Sequence, residues 1–96
     1  MILHFHEAAR QEFIDSVGFY AEESKLTPER FIAEVEKALD EISLFPNRYP
    51  PYRRKYRRKV LKKHPFSIFY SIKGNEITIE GIYHNLRAPD SWKGRK

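Results

Sequence analysis

The chain has 96 residues, with 18 Lys and Arg against 13 Asp and Glu, and it contains no cysteine. This length allows one domain, and 41% hydrophobic and 15% aromatic residues are too many for a disordered protein. The lack of cysteine excludes a disulfide framework, a thiol nucleophile and any cysteine-ligated metal. The apolar runs are too short to span a membrane and the N-terminal residues turn polar at once, so we expect a cytoplasmic protein without a signal peptide.

A short strand is predicted over residues 2–6, with Leu3 and Phe5 on one face and His4 and His6 on the other. The two histidines could ligate a metal from their face, but no third ligand follows at a recognisable spacing. We therefore expect neither a metal site nor a cofactor.

Two amphipathic helices follow, the first over about residues 7–24. Thr27 can cap the second helix, Pro28 suits its first position, and Pro46 ends it. Apolar residues recur at helical spacing in both: Ala9, Phe13, Val17 and Tyr20 or Ala21 in the first, and Phe31, Val35, Ala38, Leu39, Ile42 and Phe45 in the second. The short connection between them predicts an antiparallel helical hairpin.

Three strands are predicted in the second half of the chain, over about residues 57–63, 66–72 and 76–84. Gly74-Asn75 is a hairpin signal between the last two, whereas three prolines forbid regular pairing in the loop 46–56 before them. Alternation gives each of the last two strands two faces. In the strand 66–72, one face has Phe66, Ile68, Tyr70 and Ile72 and the other has Ser67, Phe69 and Ser71. In the strand 76–84, one face has Ile77, Ile79, Gly81 and Tyr83 and the other has Thr78, Glu80, Ile82 and His84.

The predicted order is β-α-α-β-β-β, an α+β fold in a single domain over residues 1–96. The helical hairpin would pack on one face of an antiparallel meander. Charge is divided between the two halves: residues 7–45 carry ten acids and four bases, a net −6, and residues 46–96 carry three acids and fourteen bases, a net +11. We expect the acidic helices on one side of the sheet. The basic loop and the tail 85–96, anchored by Trp92, would lie together at or near the other side.

The densest positive charge lies in residues 48–63, where nine bases occur without an acid. Such a segment favours a polyanion or an acidic protein as partner. Tyr49, Tyr52 and Tyr56 stand among these bases and could stack on unpaired nucleic-acid bases. The alternative is a solvated loop that its charge keeps soluble.

His84, near the end of the last strand, is a candidate for proton transfer near neutral pH. Metal-free cleavage of RNA needs a base for the 2′-OH proton, an acid for the leaving oxygen and fixed cations for the phosphate, and arginines lie nearby. The alternative is a histidine that caps the strand or pins the tail by a hydrogen bond. His64 precedes Pro65 and is predicted as a bulge residue rather than a catalyst.

An ordered series of segments resembles the RelE/ParE superfamily of toxins from bacterial type II toxin–antitoxin systems over about the full length. The segments are Phe5-His6-Glu7-Ala8-Ala9, Phe19-Tyr20, Arg30-Phe31-Ile32-Ala33-Glu34-Val35, Phe45-Pro46, Arg57-Arg58, His64-Pro65-Phe66-Ser67-Ile68-Phe69-Tyr70, His84-Asn85-Leu86-Arg87-Ala88-Pro89, Trp92 and Arg95. The resemblance implies a compact β-α-α-β-β-β fold and a small cytoplasmic growth inhibitor. It also implies a cognate antitoxin, which usually wraps the toxin and often masks its basic surface.

The resemblance allows two molecular targets, because the superfamily has two branches, and the base-rich loop and His84 favour the first of them, RNA cleavage, as the expected activity. RelE-like members cut messenger RNA in the ribosomal A site without a metal. In that case Arg58, or its neighbour Arg57, and Arg87 would hold the phosphate, and His84 would take or give a proton. The RNA- or partner-binding residues would be Arg53, Arg54, Lys55, Tyr56, Arg57, Lys62 and Arg95. ParE-like members instead poison DNA gyrase without acting as nucleases, and a non-toxic family member is a third alternative.

Overall fold

A five-stranded mixed sheet carries two helices on one face. The computed structural model describes residues 2–23, 27–53 and 55–86. The elements are β1 (Ile2–Phe5), α1 (Glu7–Glu23), α2 (Pro28–Leu44), β2 (Pro51–Tyr52), β3 (Tyr56–Val60), β4 (Phe66–Lys73) and β5 (Glu76–His84). The strand order is β1-β5-β4-β3-β2, with β1 parallel to β5 and the other pairs antiparallel. The predicted α+β class, helical hairpin and strand order along the chain are confirmed, with one added strand.

Both helices begin at side-chain caps. The Thr27 hydroxyl accepts from the Arg30 amide at 3.4 Å, and Pro28 follows in the first turn of α2, as predicted. The ring of His6 caps α1, because its Nδ1 accepts the Ala8 amide hydrogen at 3.0 Å. His4 instead contacts Glu76, 2.7 Å from Nε2 to Oε1. His4 of β1 and His6, which follows the strand, therefore each have a local structural role.

The core lies between the helices and one face of the sheet. Its buried members are Ala9, Tyr20, Phe31, Val35, Ala38, Ile42, Leu61, Phe66, Ile68, Tyr70, Ile77, Ile79 and Ile82. The predicted apolar face of β4 is confirmed, since Phe66, Ile68 and Tyr70 are buried there and Ile72 packs against them. The Tyr70 hydroxyl donates to the Pro46 carbonyl at 2.6 Å and so ties the end of the helical hairpin to the sheet.

The predicted faces of β5 are wrong beyond Ile79 because the strand contains a bulge. Phe69 pairs with Gly81 and Tyr70 pairs with Ile79, which leaves Glu80 as an extra residue. One extra residue reverses the alternation, since side chains change face with a period of two. Ile82 therefore joins the core, and Tyr83 packs with Phe69 on the opposite face.

The predicted absence of pairing in the loop 46–56 is also wrong. Pro51 pairs with Arg57 and Tyr52 with Tyr56, which makes β2 a two-residue edge strand. Proline is tolerated at the first residue of an edge strand, where its missing N–H removes no ladder bond. The turn after β2 passes through Arg53 with a φ of 59°.

No helix among the described residues is long and apolar enough to cross a membrane.

Candidate functional site

The bases of residues 48–63 do not form one surface, because strand alternation divides them. On β3, Arg57 and Lys59 lie opposite Tyr70 and Ile68, on the side of the helices. Arg58 lies opposite Phe69, on the other face. Of the remaining described bases, Arg48 lies in the turn after α2, Arg53 and Lys55 lie in the turn between β2 and β3, and Lys62 and Lys63 lie in the turn between β3 and β4. Arg54, Arg87 and Arg95, predicted as site residues, and Trp92, the predicted tail anchor, lie outside the described residues.

Arg57 holds the loop that follows α2. Its Nη1 donates to the Tyr49 carbonyl at 2.6 Å and to the Asn47 carbonyl at 3.4 Å. Lys59 reaches Glu41 on α2 at 3.5 Å and lies 4.3 Å from the centre of the Tyr49 ring. These contacts give both bases of the helix side a role in fixing the loop.

The turn between β2 and β3 presents bases over tyrosine rings. The Arg53 guanidinium lies 5.4 Å from the Tyr52 ring centre, and the Lys55 ammonium lies 5.4 Å from the Tyr56 ring centre. Both bases are exposed, whereas the two tyrosines pack on the cluster formed by Phe69 and Tyr83. The cluster thus supports a turn whose charged groups face solvent.

Arg58 is held in place on the same face. Its Nε donates to the Ser67 hydroxyl at 3.1 Å, and that hydroxyl donates to the Asn85 side-chain oxygen at 2.6 Å. The guanidinium also lies 5.7 Å from the Phe69 ring centre. The roles of Ser67 and Asn85 were not predicted from the sequence. Only the strand register, which puts Ser67 two pairs away from Arg58 on the same face, could have indicated the first contact.

His84 lies on the helix side of the sheet. Its ring packs at 5.2 Å, edge to face, against Phe66, its partner on β4. Nδ1 accepts the Leu86 amide hydrogen at 3.1 Å, so in the neutral ring the proton is on Nε2. The side chain borders a pocket of about 370 Å³ whose other lining residues are Glu12, Asp15, Ser16, Phe19, Phe66 and Ile82. The bond to Leu86 is of the kind expected of a histidine that pins the chain after a strand.

The structure therefore does not bring His84 and Arg58 together. His84 shares a face with Phe66 and the core, and Arg58 shares the opposite face with Phe69 and Tyr83. The surroundings differ in charge as well, since His84 borders carboxylates of α1.

A partly buried acid on α2, Glu34, was not predicted from the sequence. Oε2 of Glu34 accepts the amide hydrogens of Lys62 at 2.7 Å and of Lys63 at 3.0 Å, and its Oε1 accepts from Nδ1 of His64 at 2.7 Å. Burial alone would raise the pKa of Glu34, but these hydrogen bonds, with the charge of His64, lower it below its ordinary value. The sequence could have indicated this role, because Glu34 lies three residues after Phe31 and directly before Val35, next to the apolar stripe of α2.

His64 is a core residue of the helix–sheet interface. It is 4% exposed and packs edge to face against Tyr20 at 5.1 Å and Phe31 at 5.3 Å. Its Nε2 is buried without a hydrogen-bond partner among the described residues. Burial and the charge of Glu34 both raise the pKa of Tyr20 beside it. The pair of Glu34 and His64 joins α2 to the turn that carries Lys62 and Lys63.

Residues 3–89 match the family described as the ParE toxin of the type II toxin–antitoxin system, parDE. The chain belongs to the ParE toxin family. A comparison with curated proteins finds no match. Among solved structures, the chromosomal ParDE TA system from P. aeruginosa is similar in fold, with a TM-score of 0.65 at 21% identity, over 88% of this chain and 95% of that chain.

Membership of the ParE family confirms the predicted toxin–antitoxin superfamily. A ParE-family toxin of a type II system has a cognate antitoxin as its protein partner. The matched region contains the described candidate side chains of the β2–β3 turn, of β3 and of His84.

Proposed function

We propose that this ParE-family toxin inhibits DNA gyrase by binding to it, without cutting RNA. The observation that carries the proposal is the separation of Arg58 and His84 on opposite faces of the sheet. An acid–base residue and a phosphate-binding cation must reach the same phosphodiester group within hydrogen-bond distance. Two side chains with the sheet between them do not meet that requirement, whereas a binding surface does not need it.

The β2–β3 turn supplies the proposed binding surface. Arg53 and Lys55 extend from it with their tyrosines packed beneath them. Arg53 also adopts a left-handed backbone, which glycine accepts without cost and which costs other residues about 1 kcal/mol. Exposed positive charge of this kind speeds association with an acidic protein surface and orients the complex.

The experiment is a supercoiling assay with purified gyrase and a titration of purified toxin. Wild-type toxin is expected to inhibit supercoiling, and Arg53→Gln with Lys55→Gln should need about tenfold more toxin because the charge that guides binding is lost. The matched control is Arg10→Gln with Lys73→Gln, which removes two exposed charges from α1 and β4. Wild-type toxin that leaves supercoiling unchanged would contradict the proposal.

Ribosome-dependent cleavage of messenger RNA is the second candidate function. It is favoured by Arg58, which Ser67 holds on the aromatic face close to the exposed bases of the β2–β3 turn. In this mechanism His84→Ala, Arg58→Ala and Arg87→Ala abolish cleavage of a ribosome-bound message while the circular dichroism spectrum is unchanged. Full cleavage by these variants removes the mechanism, and cleavage by wild-type toxin with gyrase unaffected overturns the first proposal.

A further inference from the structure

The guanidinium of Arg58 is held in place through one of its three nitrogens. Its Nε donates to the Ser67 hydroxyl at 3.1 Å. That hydroxyl gives its own hydrogen to the Asn85 side-chain oxygen at 2.6 Å, so a lone pair of the Ser67 oxygen remains for Arg58. Ser67 is 1% exposed, and the backbone amide of Asn85 donates to the Pro65 carbonyl at 2.8 Å. The two residues that position Arg58 are therefore fixed themselves.

The two terminal nitrogens of this guanidinium have no partner among the described residues. They carry most of the donors of the side chain, in a planar fork that matches a carboxylate. Arg58 is half-buried, and its guanidinium lies 5.7 Å from the centre of the buried Phe69 ring. Glu80, a buried acid of β5, accepts instead from the Ser71 hydroxyl at 2.6 Å. Within the described part of the chain, the fork of Arg58 therefore has no carboxylate to bind.

The same face of the sheet carries the β2–β3 turn with its exposed bases. Tyr52 and Tyr56 pack on the cluster that contains Phe69, the ring beside Arg58. The bases of the turn lie over these two tyrosines and are exposed, whereas Arg58 is fixed before any partner arrives. A cation that is already in position loses less conformational entropy when it binds an anion.

The arrangement of charge favours a protein carboxylate over the phosphates of DNA. Contact with the DNA backbone takes several cations along a row of phosphates. Among the described residues, β3 gives this face one base, because Arg57 and Lys59 contact the loop after α2 and α2 itself on the other side. One fork beside aromatic rings instead suits one carboxylate near the centre of a protein interface.

We propose that Arg58 binds a carboxylate of gyrase through its two terminal nitrogens, and that Ser67 positions it for this contact. The inference rests on the proposed inhibition of gyrase and separates the roles of the bases. The turn bases would speed association, since exposed charges act at long range. Arg58 would slow dissociation, since a hydrogen-bonded ion pair in a partly dehydrated site must break before the partners separate.

Surface plasmon resonance on immobilised gyrase, with and without bound DNA, measures the two rates separately. Arg58→Lys keeps the charge but loses the planar fork, so the toxin should dissociate about tenfold faster while association stays within about twofold of wild type. Arg53→Gln with Lys55→Gln should instead slow association and leave dissociation nearly unchanged. Arg10→Lys is the matched control, because Arg10 is an exposed arginine on α1. A circular dichroism melt checks that each variant is folded.

The outcomes distinguish this inference from the proposed function on which it rests. If Arg58→Lys dissociates at the wild-type rate while the turn variant associates slowly, the role of Arg58 is wrong and gyrase binding stands. Wild-type toxin that binds gyrase neither with DNA nor without it removes both proposals. A defect of Arg58→Lys that occurs only on gyrase with DNA would indicate a phosphate contact and would overturn the carboxylate assignment.

Ser67→Ala tests the positioning role. It removes the acceptor of the Arg58 Nε–H, so the toxin should dissociate about threefold faster when residue 58 is arginine. In the Arg58→Lys background the same substitution should leave the dissociation rate unchanged, because the fork that Ser67 orients is gone. An equal effect in both backgrounds would indicate a general packing defect and would contradict the positioning role.

Discussion

Glu34→Ala is the substitution that most directly tests how α2 and the β3–β4 turn are held together. The side chain of Glu34 is 15% exposed and accepts three hydrogen bonds, two from the amides of Lys62 and Lys63 and one from His64. Alanine removes all three acceptors at once. The side chain of His64 is 3% exposed, so water cannot easily replace its lost partner.

The magnitude follows from the three contacts. The two amides belong to exposed residues and can be rehydrated, so each lost bond costs about 1 kcal/mol. The buried Nδ1–H of His64 loses its acceptor without replacement, which costs about 1–3 kcal/mol more. We expect a loss of about 3–5 kcal/mol in the free energy of unfolding, or about 15–25 °C in Tm for a domain of this size.

Urea denaturation followed by circular dichroism measures this loss. Glu36→Ala is the control, because Glu36 is an exposed acid on the same helix. Glu34→Gln should give an intermediate loss, since the amide keeps one oxygen but turns an NH2 group toward donors. A free energy of unfolding for Glu34→Ala within about 0.5 kcal/mol of the Glu36→Ala value would refute the reasoning.

Three further predictions concern pH and the loop after α2. The folded-state pKa of Glu34 is lowered, so its contribution to stability is complete above the ordinary carboxyl pKa of about 4.3 and is lost as pH falls through the lowered value. Glu34→Gln should therefore weaken the fall of the urea midpoint at acid pH. Burial raises the pKa of Tyr70 to about 12, so absorbance titration should find its hydroxyl protonated at pH 11. Tyr70→Phe leaves the Pro46 carbonyl without its hydrogen-bond donor and should lower the free energy of unfolding in urea by about 1–2 kcal/mol. Arg57→Leu should speed amide exchange around Tyr49, and unchanged exchange there would contradict the role of its hydrogen bonds.

Local periodicity was sufficient to predict most elements of the fold. The caps and apolar stripe of α2 follow from Thr27, Pro28 and helical spacing, and β5 begins and ends where the sequence predicts. The bulge at Glu80 was not predictable in this way, because it depends on which residue of β4 lies opposite. The two-residue β2 likewise forms only because β3 is present to pair with it.

The candidate site was less predictable than the fold. Charge density identified the basic segment but not how its side chains are distributed between the two faces of the sheet. That distribution depends on the register of β3, which places Arg57 and Arg58 on opposite faces. The contact between Glu34 and His64 joins residues 30 positions apart and is visible only after α2 has packed on the sheet. Sequence pattern therefore indicates which residues carry charge, and packing decides which of them remain exposed.

Inducible expression of the toxin, followed by genome-wide mapping of gyrase-linked DNA breaks and of RNA 5′ ends, tests the proposed gyrase function most directly. The proposal predicts new DNA breaks at gyrase sites while messenger RNAs on ribosomes remain whole. New 5′ ends within translated messages, without additional gyrase-linked breaks, would contradict it.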